Sequence, residues 1–173
     1  MRILKGLLVL VVILLIVFCV AYVMGSRLPN DHTASASTVL PASQQRVWTL
    51  ITDVKSQPSW RSGIKSVEPW QGSSSTEECW VEAQDGMKMP LCVEVTEPLK
   101  TRVVRIADKD LPFGGTWTYE LEPSGTDQTK LTITERGTTR PAIWRFISHY
   151  LMGEDTYLKK YESDLQKALT AHG

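Results

Sequence analysis

The stretch EECWVEAQDGMKMPLCVEVTE, residues Glu77–Glu97, decides the fold. Apolar and polar residues alternate on both sides of Asp85-Gly86, and this dipeptide between alternating runs is the strongest short signal for a β-hairpin. Counting outward from the turn pairs Gln84 with Met87, Glu82 with Met89, Trp80 with Leu91 and Cys79 with Cys92. Trp80, Glu82, Met89, Leu91, Val93 and Val95 then share one face. That face is the more apolar, so it is expected to point inward. Cys79 and Cys92 fall at a non-hydrogen-bonded site, where Cα atoms approach to about 4.5 Å. That is the short end of disulfide geometry, so a structural disulfide on the outward face is expected. Pro90, opposite Val81, falls at a site of the same kind, where its missing N–H costs the ladder nothing. Two free thiols, or a bulge that shifts the register, are the alternatives.

Downstream the same period continues. Thr101–Ala107 follows a turn at Pro98. Gly115–Glu122 alternates Trp117, Tyr119 and Leu121 with polar residues, Pro123–Gln128 is a turn, and Lys130–Arg136 carries Leu131 and Ile133 on one face. Upstream, Val67–Trp70 reads as a short strand and Ser73–Ser75 as a loop. Pro58 opens a helical turn with Trp60 and Ile64, and Pro41-Ala42-Ser43 opens a helix whose Val47, Leu50 and Ile51 lie on one face. His32–Leu40 is the expected first strand. After Arg140-Pro141 comes one long helix, with Ile143, Ile147, Tyr150, Leu151, Leu158, Tyr161, Leu165 and Leu169 on one stripe and Gly153 in its middle. The compact solution is α+β: a curved antiparallel sheet of about six to seven strands around that C-terminal helix.

Gly6–Met24 is a run of roughly 19 uncharged residues that as a helix rises about 28 Å, the thickness of a bilayer core. Arg2 and Lys5 precede it. This basic flank places the N-terminus in the cytoplasm and everything after Gly25 on the other side, a bias that Arg27 weakens without cancelling. A cleaved signal peptide is the competing reading, although signal cores are usually only about 7–15 residues long. Cys19 is not a lipoprotein cysteine, because bulky Ile16-Val17-Phe18 precede it. Residues 1–28 are thus expected to be an anchor (membrane helix about 6–24) and 29–173 one domain. Setting Arg2 and Lys5 aside, 17 basic residues face 19 acidic ones, a balance without the electrostatic footprint of a nucleic-acid binder. Nothing in the sequence settles the oligomeric state. Six tryptophans lie between Trp48 and Trp144, enough large rings to fill a core or line a pocket.

The order of elements and several strings resemble the START-related, birch-pollen-allergen-like superfamily, also labelled SRPBCC or polyketide cyclase/dehydrase-like. The strings are Val47-Trp48 with Thr52-Asp53 and Trp60, Trp80-x-Glu82, and Leu111-Pro112-Phe113-Gly114-Gly115-Thr116-Trp117. Leu131-Thr132-Ile133-Thr134-Glu135 and Arg145-Phe146 through Met152-Gly153 complete them. The likeness spans nearly all of residues 32–170. It implies a helix-grip fold with a cavity between the sheet and the last helix. Members bind lipids, sterols and other apolar molecules, and some are cyclases or hydrolases.

Within that frame the expected ligand-lining residues are Trp60, Trp80, Glu82, Met89, Leu91, Trp117, Tyr119, Ile133, Ile147 and Leu151. Glu82 is the odd member, because a carboxylate on an apolar face needs a partner. It is a polar anchor for the ligand or a general acid, or else one half of an ion pair with an arginine or a rim position in water; Glu135 shares the ambiguity. His32, His149 and His172 have no metal-ligand spacing with each other or with Cys or Asp, so neither a metal nor a cofactor is expected. No nucleophile elbow, P-loop or dinucleotide fingerprint is present and no catalytic residue is assigned. Gly114-Gly115 reads as a close approach into a strand. The reading is a single-pass, membrane-anchored extracytoplasmic domain that binds a small hydrophobic or lipid-like molecule. The alternatives are an acid–base enzyme of the cyclase, dehydratase or hydrolase type, and an interaction module with a closed core.

Overall fold

A computed structural model describes residues 2–70, 77–84, 86–153 and 155–171. Asp85, Ser73–Ser75 and His172 lie outside the described residues. Helix α1 (Arg2–Ser26) is followed by strand β1 (Asp31–Leu40), helix α2 (Gln44–Thr52), a 3-10 turn at Val54–Ser56 and the short helix α3 (Gln57–Trp60). Strands β2 (Ser66–Pro69), β3 (Cys79–Gln84), β4 (Met87–Glu97), β5 (Thr101–Ile106), β6 (Phe113–Pro123) and β7 (Thr129–Thr139) come next. The chain closes with α4 (Ala142–Ile147), a π-helical turn at Ser148–Met152 and α5 (Thr156–Ala171). The Ser43 hydroxyl caps α2 by accepting from the Arg46 N–H.

The seven strands form one antiparallel sheet in the order β1-β7-β6-β5-β4-β3-β2. Consecutive strands from β2 to β7 pair with their neighbours, and β1 pairs back onto β7; α2 and α3 carry the chain across to the opposite edge. The β3–β4 register is the one counted from the turn, with Glu82 opposite Met89 and Cys79 opposite Cys92. The two cysteine sulfurs are bonded, and Cys92 is fully buried. Leu40, Val47, Leu131, Ile133, Leu158 and Leu165 fill the centre between the concave face and α5.

Two expectations fail, each for a local reason. Val95 does not face inward. Val93 pairs with Val104, but Val95 pairs with Val103, so Glu94 is an extra residue in β4. The bulge shifts the alternation by one position and leaves Val95 half-exposed. Nor is the C-terminal helix continuous. Gly153 has φ +86°, the left-handed region, so the chain leaves α4 and its π turn there and starts α5 in a new direction. Only the second half of the expected stripe, Leu158 to Leu169, packs on the sheet.

Gly115 lies opposite Gly137 in the pairing of β6 with β7. A Cβ on Gly115, at φ +147°, would lie 2.4 Å from the Arg136 carbonyl oxygen. Neighbouring Gly114 would meet nothing within 4 Å. Gly115→Ala should therefore lower stability by about 2 kcal/mol or more, and Gly114→Ala by no more than about 0.5 kcal/mol. Urea denaturation of the detergent-solubilised protein measures both.

Candidate functional site

Sheet and helices leave two adjacent spaces. The inner one is small, about 20 Å³, and its wall includes Arg61, Glu82, Trp80, Trp117, Tyr119 and Tyr157. The outer one measures about 580 Å³, within the range of small-molecule sites. Met89, Trp117 and Tyr157 belong to both walls, so these three side chains form the partition.

The inner chamber is built around a buried ion pair. Arg61 Nη1 lies 2.8 Å from Glu82 Oε1, and both side chains are almost wholly excluded from solvent. Arg61 follows the last residue of α3, and Glu82 projects inward from β3 by strand alternation. The guanidinium also donates to Gln57 Oε1 and to the Tyr157 hydroxyl oxygen. Trp80 Nε1 donates to the same Glu82 oxygen at 3.1 Å. The loop after Arg61 is tied to α5: the Ser62 N–H and hydroxyl both donate to Asp164 Oδ2, at 3.0 and 2.8 Å. A second pair, Arg102 with Glu78 at 2.7 Å, stands beside the chamber, the guanidinium lying 5.9 Å from the centre of the Trp80 ring.

Burial on its own disfavours a charged guanidinium, yet the Arg61 pKa is raised, because the Tyr157 and Glu82 side chains stabilise the cation. Burial pushes the Tyr119, Tyr157 and Tyr161 phenols above their ordinary value of 10, and the charge of Arg61 only partly opposes this. All three phenols therefore stay protonated near neutral pH. Tyr157 accepts from Arg61 and retains its own proton to donate.

Two buried polar atoms of chamber-lining residues have no hydrogen-bond partner among the described residues, the acceptor Glu82 Oε2 and the donor Trp117 Nε1. A space of about 20 Å³ holds one water, or one hydroxyl at the end of a larger molecule. Such a group could accept from an N–H or donate to a carboxylate oxygen of the kind left unpaired on this wall.

The outer cavity is lined mainly by apolar side chains, among them Ile106, Phe113, Trp144 and Met152. Polar side chains are interspersed among them, including Asp31, Gln84, Thr138 and His149; His32 Nε2 stands 3.5 Å from Glu135 Oε1, and Arg145 also lines the cavity. Leu28, Pro29 and Asn30 complete the rim, so the cavity opens beside the end of α1.

Of the expected lining residues, Trp80, Glu82, Leu91 and Tyr119 border the inner chamber, and Met89 and Trp117 border both spaces. The other four line neither. Trp60 packs edge-on against Tyr161, at 5.5 Å between ring centres. Ile133 is buried in the core. Ile147 and Leu151 precede the break at Gly153 and so do not face the sheet; Leu151 is 69% exposed. Sequence reading missed Arg61, Gln57, Arg102 and Tyr157. An inward Glu82 called for a cation, but nothing local told which of 19 basic residues would supply it. Among the described residues, one group has ligand atoms close enough for a metal, Glu77 with Cys79 and Cys92, and its sulfurs are bonded to each other.

The chain belongs to the polyketide cyclase / dehydrase and lipid transport family, whose model matches residues 31–161. No curated protein matches it in sequence. Among solved structures it is similar to a START superfamily protein from Mycobacterium smegmatis, with TM-score 0.62 and 15% identity over 82% of this chain and 99% of the other. It is also similar to the ZhuI aromatase/cyclase from Streptomyces sp. R1128, with TM-score 0.61 and 12% identity over 82% and 93%. Norcoclaurine synthase from Thalictrum flavum gives TM-score 0.62 and 14% identity over 83% and 88%. At these identities the likeness establishes the helix-grip fold.

Breaking the ion pair should cost more than replacing it. Arg61→Met leaves Glu82 buried without a counterion and should destabilise by about 3–5 kcal/mol. Adding Glu82→Leu should recover most of that loss, which a double-mutant cycle in urea measures. The Ser62 and Lys160 contacts of Asp164 hold its carboxyl below the ordinary 3.8, against an opposing push from burial. A lowered folded value stabilises the protein above the unfolded pKa, and that contribution is lost as pH falls through the folded value. Asp164→Ala should therefore be less stable than the parent by about 1 kcal/mol at pH 7, the gap narrowing below pH 3.8. Urea midpoints at pH 7 and pH 3 test this.

Proposed function

We propose that this protein is a single-pass, membrane-anchored domain that binds a small hydrophobic or lipid-like molecule. Residues 1–28 act as the anchor, and residues 29–173 lie on the extracytoplasmic side. The outer cavity carries this reading: about 580 Å³, apolar in most of its lining, with its rim beside the end of α1. Such a site holds its ligand by burying apolar surface, and a few polar groups set orientation. Met89, Trp117 and Tyr157, shared by both walls, set the polar inner chamber directly beside the ligand site. The family's description includes lipid transport, which agrees with this use. The cavity also weighs against a closed-core interaction module.

One observation favours the enzymatic alternative: His32 and Glu135 form an acid–base pair on the cavity wall. Glu82 fits that role less well, because Arg61 and Trp80 already engage it.

Organic extraction of the purified full-length protein, followed by mass spectrometry, should yield a stoichiometric apolar compound. The fluorescent probe N-phenyl-1-naphthylamine should compete with it. Ile106→Trp, which adds a large ring to the wall, should weaken probe binding at least tenfold. An empty extract, together with probe binding unchanged in Ile106→Trp, would sink the proposal. Conversion of the extracted compound to a new mass, abolished by Glu135→Gln, would establish the enzymatic alternative instead.

A further inference from the structure

Outside α1, seven large apolar side chains are exposed among the described residues, and four of them, Trp144, Tyr150, Leu151 and Met152, lie in the eleven residues of α4 and its π turn. Their exposures run from 49% to 69%. A fifth, Met87, sits on the cavity rim with Trp144 and Met152. A patch this apolar is unusual on a surface that meets only water.

This segment is fastened to α1. The two buried residues of α1 are Ala21 and Gly25, one helical turn apart, and α4 packs there. A Cβ on Gly25 would overlap the Ala142 carbonyl oxygen, and it would lie 3.1 Å from Phe146 Cβ. Arg145 Nε donates to the Gly25 carbonyl at 3.0 Å. From Phe146 the contact continues outward, through Tyr150 at 5.2 Å between ring centres to His149 at 4.7 Å from Tyr150.

Ala21 belongs to the apolar run that ends at Met24. Three residues of helix rise about 4.5 Å, so an α1 that spans the bilayer holds α4 at the boundary between acyl chains and headgroups. Aromatic residues concentrate at that depth, and amphipathic helices lie in that plane. We infer that residues 142–152 are an interfacial element that docks on the surface of the lipid bilayer, placing Trp144, Tyr150, Leu151 and Met152 among the lipids. The cavity mouth then faces the leaflet, and a ligand can pass between acyl layer and cavity without crossing bulk water. The inference rests on the reading of α1 as a retained anchor, and it needs no ligand.

Depth-dependent quenching in the full-length protein tests it. With Cys19→Ser, the remaining cysteines, Cys79 and Cys92, are bonded to each other. A single new cysteine then takes a nitrobenzoxadiazole label at Leu151→Cys, at Val23→Cys in α1, or at Glu122→Cys at the far end of β6. The proteins are reconstituted in phosphatidylcholine–phosphatidylglycerol vesicles, with or without acyl-chain nitroxide lipid. Emission should fall at least twofold at positions 23 and 151 and stay unchanged at 122. Quenching at 23 without quenching at 151 overturns the docking and leaves the anchor and the ligand-binding reading standing. Quenching at neither position overturns the anchor and the docking with it. No lipid quenching at 151, but a blue shift that grows with protein-to-lipid ratio, shows that a second copy covers the patch and overturns the proposal.

Discussion

The ion pair between Arg61 and Glu82 organises the interior. A guanidinium and a carboxylate out of reach of water must find every partner within the protein. Gln57, Trp80 and Tyr157 supply those partners, and Asp164 fixes the loop that follows Arg61 through Ser62. These groups come from α3, β3 and α5, so the pair joins the helical layer to the sheet at one point. Filling that point with polar side chains also keeps it from closing as hydrocarbon. The unsatisfied Glu82 Oε2 and Trp117 Nε1 mark where the protein stops short of completing its own network.

The outer cavity has a different origin. A curved seven-stranded sheet has more concave surface than one helix covers, and Gly153 shortens the covering helix to α5. An unbroken helix is what the expected cavity positions of Ile147 and Leu151 required. Instead α4 turns to meet α1, and its apolar residues become rim and surface.

Small residues make the second junction possible. Ala21 and Gly25 leave a flat strip on α1 against which the backbone of Ala142 can lie, an arrangement common where apolar helices meet without a hydrophobic driving force. Arg145 then adds a second hydrogen bond to the Gly25 carbonyl, which also accepts from the Leu28 N–H. Domain and apolar helix are therefore in direct packing contact, which few of the fold's features would require.

The sequence alone determined most of the backbone. Strand alternation, the Asp85-Gly86 turn and the proline-marked helix starts made the strands, the meander from β2 to β7 and the Cys79–Cys92 register legible, because these depend on neighbours within a few residues; the pairing of β1 with β7 did not show in the sequence. The inward position of Glu82, and its need for a partner, followed from the same count. Only the tertiary structure decided what met that need, because Arg61 reaches Glu82 across 21 residues and Tyr157 reaches Arg61 across 96. It also decided the bulge at Glu94 that exposes Val95, and the break at Gly153 that removes Ile147 and Leu151 from the cavity. A glycine within an apolar stripe fits either a continuous helix or its end, and periodicity cannot tell them apart. The choice between them rests on what each half can pack against: for α5 the concave sheet, for α4 the end of α1.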